Sequence, residues 1–392
     1  MPNEVTPKLP GDCFVASVSI CGAKAPHSTS GSSQRHEKEV FMKLEEIIKD
    51  IQPLDEAAMR SARARQDTLT KPRGSLGRLE ELSIQLAGMT AQPFPSVERK
   101  AVIVMAADHG VAREGVSAYP SDVTTQMVLN FLGGGAAINV LARQAGARVT
   151  VVDIGVAADF DPLPGLIRRK VMCATQNMAQ GPAMSPEQAR QAMQVGADVL
   201  DEEAARGLDI VATGDMGIGN TTPSSAIVAA MTGLPVAQVV GRGTGIDDQG
   251  LERKIRVIEQ ALAVNQPHIE DPMDVLQKVG GLEIAGLAGV MIAAAHRRIP
   301  VVVDGFISTA AAMIAVGVAP GVREYLIGSH QSLELGHRAM LNHLHLTPLL
   351  DLNMRLGEGT GAALAFHLVE AATRILREMA TFGEAGVSDK DS

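Results

Sequence analysis

The chain has 392 residues, of which 46% are hydrophobic, 20% are charged and only 3% are aromatic. Its net charge of −9 and its lack of Trp argue against nucleic-acid binding, which uses basic surfaces and stacking rings. The high apolar fraction argues against a disordered chain. The core must therefore be built from Ala, Val, Ile, Leu and Met, and its small residues favour closely packed α/β layers.

Residues 1–41 differ in composition from the rest of the chain. The segment HSTSGSSQRHEKE at 27–39 is polar and of low complexity, which is typical of a linker. We predict that 1–41 is a disordered or non-native extension and that 42–98 forms the N-terminal helical part of a small domain. Within that part, the loop KPRGSLGRLE at 71–80 leads into a helix.

From about residue 100 the sequence alternates short apolar strands with helices. Ser185 and Gln188 form a capping box for a helix that is predicted to end near Arg206. Such alternation predicts an α/β fold, a parallel, doubly wound, Rossmann-like sheet at 99–350 with a smaller helical domain from both chain ends. In that arrangement 351–392 supplies a catalytic loop and a helix that packs with the small domain. The predicted strands fall in 101–110, 148–156, 208–220, 299–306 and 323–329.

The number of cysteines and the length of the apolar segments indicate the cellular compartment and whether the chain spans a membrane. Three cysteines are too few for a disulfide framework, and we expect Cys173 to be a small core residue. The longest apolar run, near 284–295, is shorter than the roughly 20 residues that span a bilayer. We therefore expect a cytoplasmic protein without a membrane span.

Polar residues collect where the predicted strands end, which is where doubly wound sheets bind ligands. These residues are Asp108, His109, Asp153, Asp215, Asp304, Ser329 and His330. The Gly-rich turn GDMGIGNTT at 214–222 begins a helix and suits a phosphate, with a structural turn as the alternative. It is not the dinucleotide fingerprint, because Thr222 occupies the third glycine position.

The segment GEGTG at 357–361 places Glu358 between two glycines, just before an apolar helix. Flanking glycines allow a ligand to approach the carboxylate closely, although a Glu near a helix N-terminus also stabilises the helix dipole. The sequence has neither a metal-ligand spacing nor a nucleophile elbow. We therefore expect acid–base and phosphate-binding chemistry without a metal ion or a covalent intermediate.

Six motifs are distributed along the chain, namely KPRGSLGRLE, ADHGV, GDMGIGNTTPSSA, GRGTG, VDGF and RLGEGTGAALA. Together they resemble the nicotinate-nucleotide–dimethylbenzimidazole phosphoribosyltransferase family over about residues 43–383. The resemblance implies a homodimer that needs no cofactor. It also implies transfer of the 5-phosphoribosyl group from nicotinate mononucleotide to 5,6-dimethylbenzimidazole, which gives α-ribazole 5′-phosphate and nicotinate.

The resemblance also implies which residues form the site. Glu358 is the expected catalytic base, and Asp215 is a second catalytic candidate at a position where the family commonly has Glu. Lys254 is expected near the ribosyl phosphate. Tyr119, Gln126 and Leu356 are expected near the benzimidazole. The other expected substrate-binding residues are Gly217, Gly219, Asn220, Thr221, Gly243, Asp304, Gly305, Ser332, Gly357 and Gly359.

Two other functions compete with this interpretation. One is an NAD-dependent oxidoreductase on a Rossmann-like sheet, against which the missing third glycine argues. The other is a non-catalytic nucleotide-binding module, against which the intact motif around Glu358 argues. The residues do not identify which base is the physiological acceptor.

Overall fold

A computed structural model describes residues 18–21 and 42–388. The strands are β1 (Val18–Ile20), β2 (Lys100–Ala107), β3 (Ala147–Gly155), β4 (Ala158–Phe160), β5 (Leu166–Arg168), β6 (Ile210–Met216), β7 (Val301–Val303) and β8 (Leu326–Gly328). The helices are α1 (Leu44–Lys49), α2 (Glu56–Thr68), α3 (Arg78–Thr90), α4 (Asp122–Leu132), α5 (Ala137–Ala145), α6 (Pro186–Ala205), α7 (Thr221–Thr232), α8 (Val236–Val239), α9 (Asp248–Asn265), α10 (Pro272–Val279), α11 (Leu282–His296), α12 (Phe306–Val318), α13 (His337–Leu344), α14 (Thr360–Glu378) and α15 (Phe382–Ala385).

Six strands form a parallel sheet in the order β5-β3-β2-β6-β7-β8. The central strand β2 is buried along all eight residues, which requires cover on both faces. The predicted α/β fold with a parallel sheet is therefore confirmed. The five predicted strands correspond to β2, β3, β6, β7 and β8, whereas the edge strand β5 was not predicted.

The helices α6 and α11 pack at close range because glycines lie at their contact. A Cβ atom on Gly196 would overlap the carbonyl oxygen of Gly286, and one on Gly289 would overlap the carbonyl oxygen of Met193. The helix α11 contains the long apolar run and is buried from Leu282 to Ala295. Small residues thus replace aromatic rings as the means of dense packing.

Helices from both ends of the chain pack together. Helices α2 and α3 meet the end of α14 around a small apolar cluster made of Ala58, Ala62, Ile84, Ala87 and Leu376. The predicted capping box of α6 is present, since Ser185 and Gln188 bond each other's backbone N–H groups, and the helix ends at Ala205. Helices α2, α3 and α14 thus bring the two chain ends together, and the predicted domain boundaries stay a prediction.

Of the predicted N-terminal extension, only residues 18–21 are described, and the rest of 1–41 lies outside the described residues. Strand β1 pairs antiparallel with β4, and Cys21 forms a disulfide with Cys173. The expectation that Cys173 is a small core residue is wrong. It is exposed, because the loop between β5 and α6 that carries it runs along the surface. The cytoplasmic location stays a prediction.

One described stretch, Asp122–Ala145, is long and apolar enough to cross a membrane by length and composition alone. In the fold it consists of two helices, α4 and α5, which are separated by the segment 133–136. The N-terminus of α5 contacts the carboxylate of Glu358, so this stretch belongs to the site described next.

Candidate active site

A cavity of about 330 Å³ opens at the carboxyl end of the parallel sheet. Its wall comes from segments that follow β2, β6, β7 and β8, from the loop between α8 and α9 and from the segment that precedes α14. The lining residues are Tyr119, Asp215, Asn220, Thr221, Gly243, Thr244, Gly305, Phe306, Ile307, His330, Ser332, Glu334, Arg355, Leu356 and Gly357. The cavity therefore lies where parallel α/β sheets bind their ligands.

The structure brings many of the expected site residues to this wall. Those that line the cavity are Tyr119, Asp215, Asn220, Thr221, Gly243, Gly305, Ser332, Leu356 and Gly357. Those that do not line it are Gln126, Gly217, Gly219, Lys254, Asp304, Glu358 and Gly359. Gln126 is exposed on α4, and the other members of this second group lie behind or beside the wall.

Asp215 lies near the end of β6 and lines the cavity. The amide of Asn220 donates a hydrogen bond to its Oδ2 at 2.9 Å, whereas Oδ1 has no partner among the described residues. Burial raises the pKa of Asp215 well above its ordinary value, and the nearby charges of Asp304 and Glu283 raise it further. This environment favours the neutral carboxylic acid.

Glycines at 214 and 217 are explained by packing within the protein. A Cβ atom on Gly217 would overlap the carbonyl oxygen of Ala107 and lie 3.3 Å from Nε2 of His109. A Cβ atom on Gly214 would lie 2.5 Å from the carbonyl oxygen of Glu358. The turn after β6 therefore fits tightly against β2, and β6 itself fits tightly against the segment that carries Glu358.

Glu358 adopts a left-handed backbone conformation, with φ of 63° between Gly357 at 84° and Gly359 at 91°. A non-glycine residue in this region costs about 1–3 kcal/mol, and such strain concentrates at functional sites. The carboxylate is buried and accepts a long hydrogen bond, 3.4 Å, from the N–H of Ile138 in the first turn of α5. Burial raises the pKa of Glu358, the Ile138 N–H lowers it, and the charge of Asp304 raises it.

Asp304 fixes the segment that carries Glu358. Its Oδ2 accepts a hydrogen bond from the N–H of Gly359 at 3.1 Å, and its Oδ1 accepts one from the N–H of Ala362 at 3.0 Å. These amides lie at the N-terminus of α14, where a carboxylate is favoured by unpaired N–H groups and by the helix dipole. His330 lies 3.9 Å from the same carboxylate. Asp304 thus lies beneath the cavity wall, and its expected contact with substrate stays a prediction.

Lys254 lies behind the loop that carries Gly243. It is fully buried, and its Nζ donates hydrogen bonds to Oγ1 of Thr221 at 2.7 Å and to the carbonyl oxygen of Gly241 at 3.2 Å. Burial lowers the pKa of Lys254 to about 8, although the charge of Glu334 raises it. In this position Lys254 orients Thr221, and its direct contact with a phosphate stays a prediction.

Some cavity residues were not predicted. They are Thr244, Phe306, Ile307, Glu334 and Arg355. His330, which also lines the cavity, was named only as a polar residue at a strand end, and Arg355 precedes Leu356 in the motif of Glu358, so it had a signal in the sequence. Arg355 donates to the carbonyl oxygen of Gly243 at 3.0 Å and places a guanidinium on the wall.

A metal-ligand grouping within the described residues lies away from the cavity. Its members are Cys21, Asp159 and Cys173, whose ligand atoms lie within 4.8 Å of one another. The two cysteines are joined in the disulfide, which removes their thiolates as ligands. The ionisable side chains on the cavity wall other than Tyr119 are the carboxyl groups of Asp215 and Glu334, the guanidinium of Arg355 and the imidazole of His330.

Comparisons with known proteins identify the family. A family model described as "Phosphoribosyltransferase" matches residues 51–387. A nicotinate-nucleotide–dimethylbenzimidazole phosphoribosyltransferase of Roseiflexus sp. (strain RS-1) is 63% identical over 347 residues, which is 88% of this chain and 98% of the relative. A relative with the same name from Chloroflexus aurantiacus (strain ATCC 29366 / DSM 635 / J-10-fl) is 62% identical, over 88% of this chain and 99% of its own.

A solved structure agrees with this assignment. The crystal structure of the phosphoribosyltransferase of the same name from Thermus thermophilus superposes with a TM-score of 0.82 at 49% identity. The match covers 86% of this chain and all of that chain. The fold, the cavity at the strand ends and the sequence similarity therefore lead to one conclusion: the chain belongs to the nicotinate-nucleotide–dimethylbenzimidazole phosphoribosyltransferase family.

Proposed function

We propose that this enzyme transfers the 5-phosphoribosyl group from nicotinate mononucleotide to 5,6-dimethylbenzimidazole, with Glu358 as the general base. The products are α-ribazole 5′-phosphate and nicotinate. One observation carries the assignment of the base. The carboxylate of Glu358 is buried beside the cavity, has a raised pKa and is held by a strained backbone between two glycines.

The reaction balances with a single base. One benzimidazole nitrogen forms a bond to C1′ of the ribose while the bond from C1′ to the pyridinium nitrogen breaks. The electron pair of that bond neutralises the pyridinium, so the leaving group needs no acid. The other benzimidazole nitrogen then loses its proton, which Glu358 accepts. A carboxylate whose pKa is raised toward neutrality is a better base for this transfer.

Asp215 is suited to a different task from that of Glu358. The causes that raise its pKa favour its neutral form, so it is a hydrogen-bond donor rather than a second base. Its Oδ1 lacks a partner in the described part of the chain, and its side chain lines the cavity. We assign it to hydrogen-bond the ribose of the nucleotide and to hold C1′ in line with the attacking nitrogen.

The phosphate of the nucleotide has a natural position at the N-terminus of α7. Asn220 and Thr221 line the cavity there, and the positive end of the α7 helix dipole favours an anion. Arg355 supplies a cation beside this position, because its guanidinium donates to the carbonyl oxygen of Gly243, which lies next to Thr221. The benzimidazole then lies against Tyr119 and Leu356, which are both more than half exposed.

We also propose that the enzyme works as a homodimer. Three large apolar side chains near the cavity are more than half exposed, namely Leu333, Leu335 and Leu352. Apolar side chains grouped in this way are typical of a protein interface. Light scattering of the purified protein after size exclusion measures the assembly directly, and a mass of one chain across a range of concentrations would refute the dimer.

The transfer is tested by incubating the protein with nicotinate mononucleotide and dimethylbenzimidazole and separating the products by chromatography. The wild type should release nicotinate and α-ribazole 5′-phosphate in equal amounts. Glu358→Gln should fold normally and lose on the order of 10²-fold or more in rate, as expected for a lost general base. Glu81→Gln, at an exposed carboxylate on α3, is the matched control and should retain the wild-type rate. A folded Glu358→Gln enzyme with wild-type turnover would refute the role of Glu358.

A further inference from the structure

Thr124 joins two walls of the cavity through one buried hydrogen bond. Its side chain is fully buried in α4, and its Oγ1 accepts the backbone N–H of Ile218 at 3.1 Å. Helix α4 follows the loop that places Tyr119 on the cavity, and Ile218 lies in the turn between Asp215 and Asn220. The bond therefore connects the Tyr119 wall with the turn after β6.

The hydroxyl of Thr124 also lies beside Asp108, the residue that follows β2. A hydroxyl that accepts one hydrogen bond still has its own proton to donate. The buried carboxyl group of Asp108 lies beside this hydroxyl, and its Oδ2 accepts the N–H of Ala157 at 2.9 Å. Burial raises the pKa of Asp108, whereas the Ala157 N–H and the Thr124 hydroxyl both lower it. Thr124 therefore lies between a fixed strand end and the Gly-rich turn.

We propose that Thr124 is a positioning residue for the transfer reaction. It sets the separation between the wall at Tyr119, where the acceptor base lies, and the turn at Asp215 to Asn220, where the nucleotide lies. This inference rests on the proposed function. Thr124 is not part of the cavity lining, so loss of its hydroxyl leaves the groups on each wall intact and changes only how the walls are held relative to each other.

This role predicts which ligands respond to a change at Thr124. The affinity of a ligand that contacts one wall does not depend on the distance between the walls. The affinity of a ligand that contacts both walls does depend on that distance. Nicotinate mononucleotide and dimethylbenzimidazole each contact mainly one wall. The product, α-ribazole 5′-phosphate, contains both parts and spans the two.

The test compares Thr124→Val with Thr124→Ser by calorimetric titration of the two reactants and the product. Thr124→Val keeps the shape of the side chain and leaves the Ile218 N–H without an acceptor, whereas Thr124→Ser keeps the hydroxyl. We expect Thr124→Val to bind the product roughly ten-fold more weakly and each reactant within about two-fold of wild type. Its kcat should fall roughly ten-fold with little change in KM, and Thr124→Ser should resemble the wild type.

Equal weakening of all three ligands would indicate a merely structural role and would overturn the proposal. So would a folded Thr124→Val enzyme with unchanged product affinity. If Thr124→Val does not fold, Thr124→Ala against Thr124→Ser is a second pair that differs only in the hydroxyl. A wild type that releases no nicotinate would refute the proposed function, whereas an active wild type without the expected difference between the variants refutes this inference alone.

Discussion

Replacing Lys254 by Met tests the electrostatic consequence of a buried ammonium group. The pKa of Lys254 is about 8 in the folded protein, against an ordinary value of 10.5, because burial disfavours the charged form. Below pH 8 both the folded and the unfolded states carry the proton, and the folded state bears the cost of burying it. Between pH 8 and 10.5 the unfolded state binds more protons than the folded state, so the stability rises with pH.

The magnitude follows from the difference between the two pKa values. At 1.36 kcal/mol for each pKa unit, the wild type should gain about 3 kcal/mol across this range from Lys254 alone. Lys254→Met has no such proton. It also leaves Thr221 and the Gly241 carbonyl without their donor, but that loss does not depend on pH. The difference in unfolding free energy between wild type and variant should therefore change with pH.

The assay is urea unfolding of wild type and Lys254→Met at pH 7, 8, 9 and 10. The wild type should gain about 2 to 3 kcal/mol relative to the variant between pH 7 and pH 10. Lys49→Met, at an exposed position on α1, serves as the control for removal of a lysine. Parallel pH dependence of wild type and Lys254→Met would refute the reasoning, because the buried ammonium would then have an ordinary pKa.

Three further predictions follow from the described contacts. Asp304→Asn removes a carboxylate that accepts two backbone N–H groups at the start of α14, and it should lower the free energy of unfolding by about 1–3 kcal/mol in urea titrations. Reduction of the bond between Cys21 and Cys173 should lower the stability by about 2–4 kcal/mol, and Cys21→Ser should abolish the effect of the reductant in thermal melts. The rate of transfer should fall as the pH drops through the raised pKa of Glu358, which lies above the ordinary value of 4.5 because burial disfavours the carboxylate. A rate profile that stays flat down to pH 4.5 would contradict this last expectation.

The strands that the sequence predicts are those whose local pattern is strongest. A parallel strand that is buried on both faces has a continuous apolar sequence. The strands β2, β3 and β6 can therefore be predicted from the sequence without knowledge of tertiary contacts. The strand β5 has three residues, lies at the edge of the sheet and becomes less buried along its length from Leu166 to Arg168. It also follows the segment DPLPG at 161–165, which is typical of a turn. Only its pairing with β3 makes it a strand.

The sequence predicts where the candidate site lies, but it does not predict how the side chains of the site are oriented. The rule that ligands bind at the ends of parallel strands points to Asp215 and His330, and both line the cavity. The same rule cannot show that Asp304 turns its oxygens to the amides of α14, which lie more than fifty residues further along the chain. Nor can spacing alone tell which way Lys254 points, because the face that α9 buries depends on what packs against it.

The carboxyl groups near the cavity suit a substrate whose pyridinium ring loses its positive charge during the reaction. The carboxyl groups near the cavity are stabilised largely by backbone N–H groups at helix N-termini, as for Glu358 at α5 and Asp304 at α14. These groups leave the acidic surroundings of the cavity only partly neutralised, which favours the cationic ring of nicotinate mononucleotide. Under the proposed reaction, departure of the pyridine nitrogen removes that cation and leaves an anionic nicotinate. Departure of the pyridine nitrogen therefore removes the attraction between the ring and these carboxyl groups, and the loss of that attraction favours release of nicotinate.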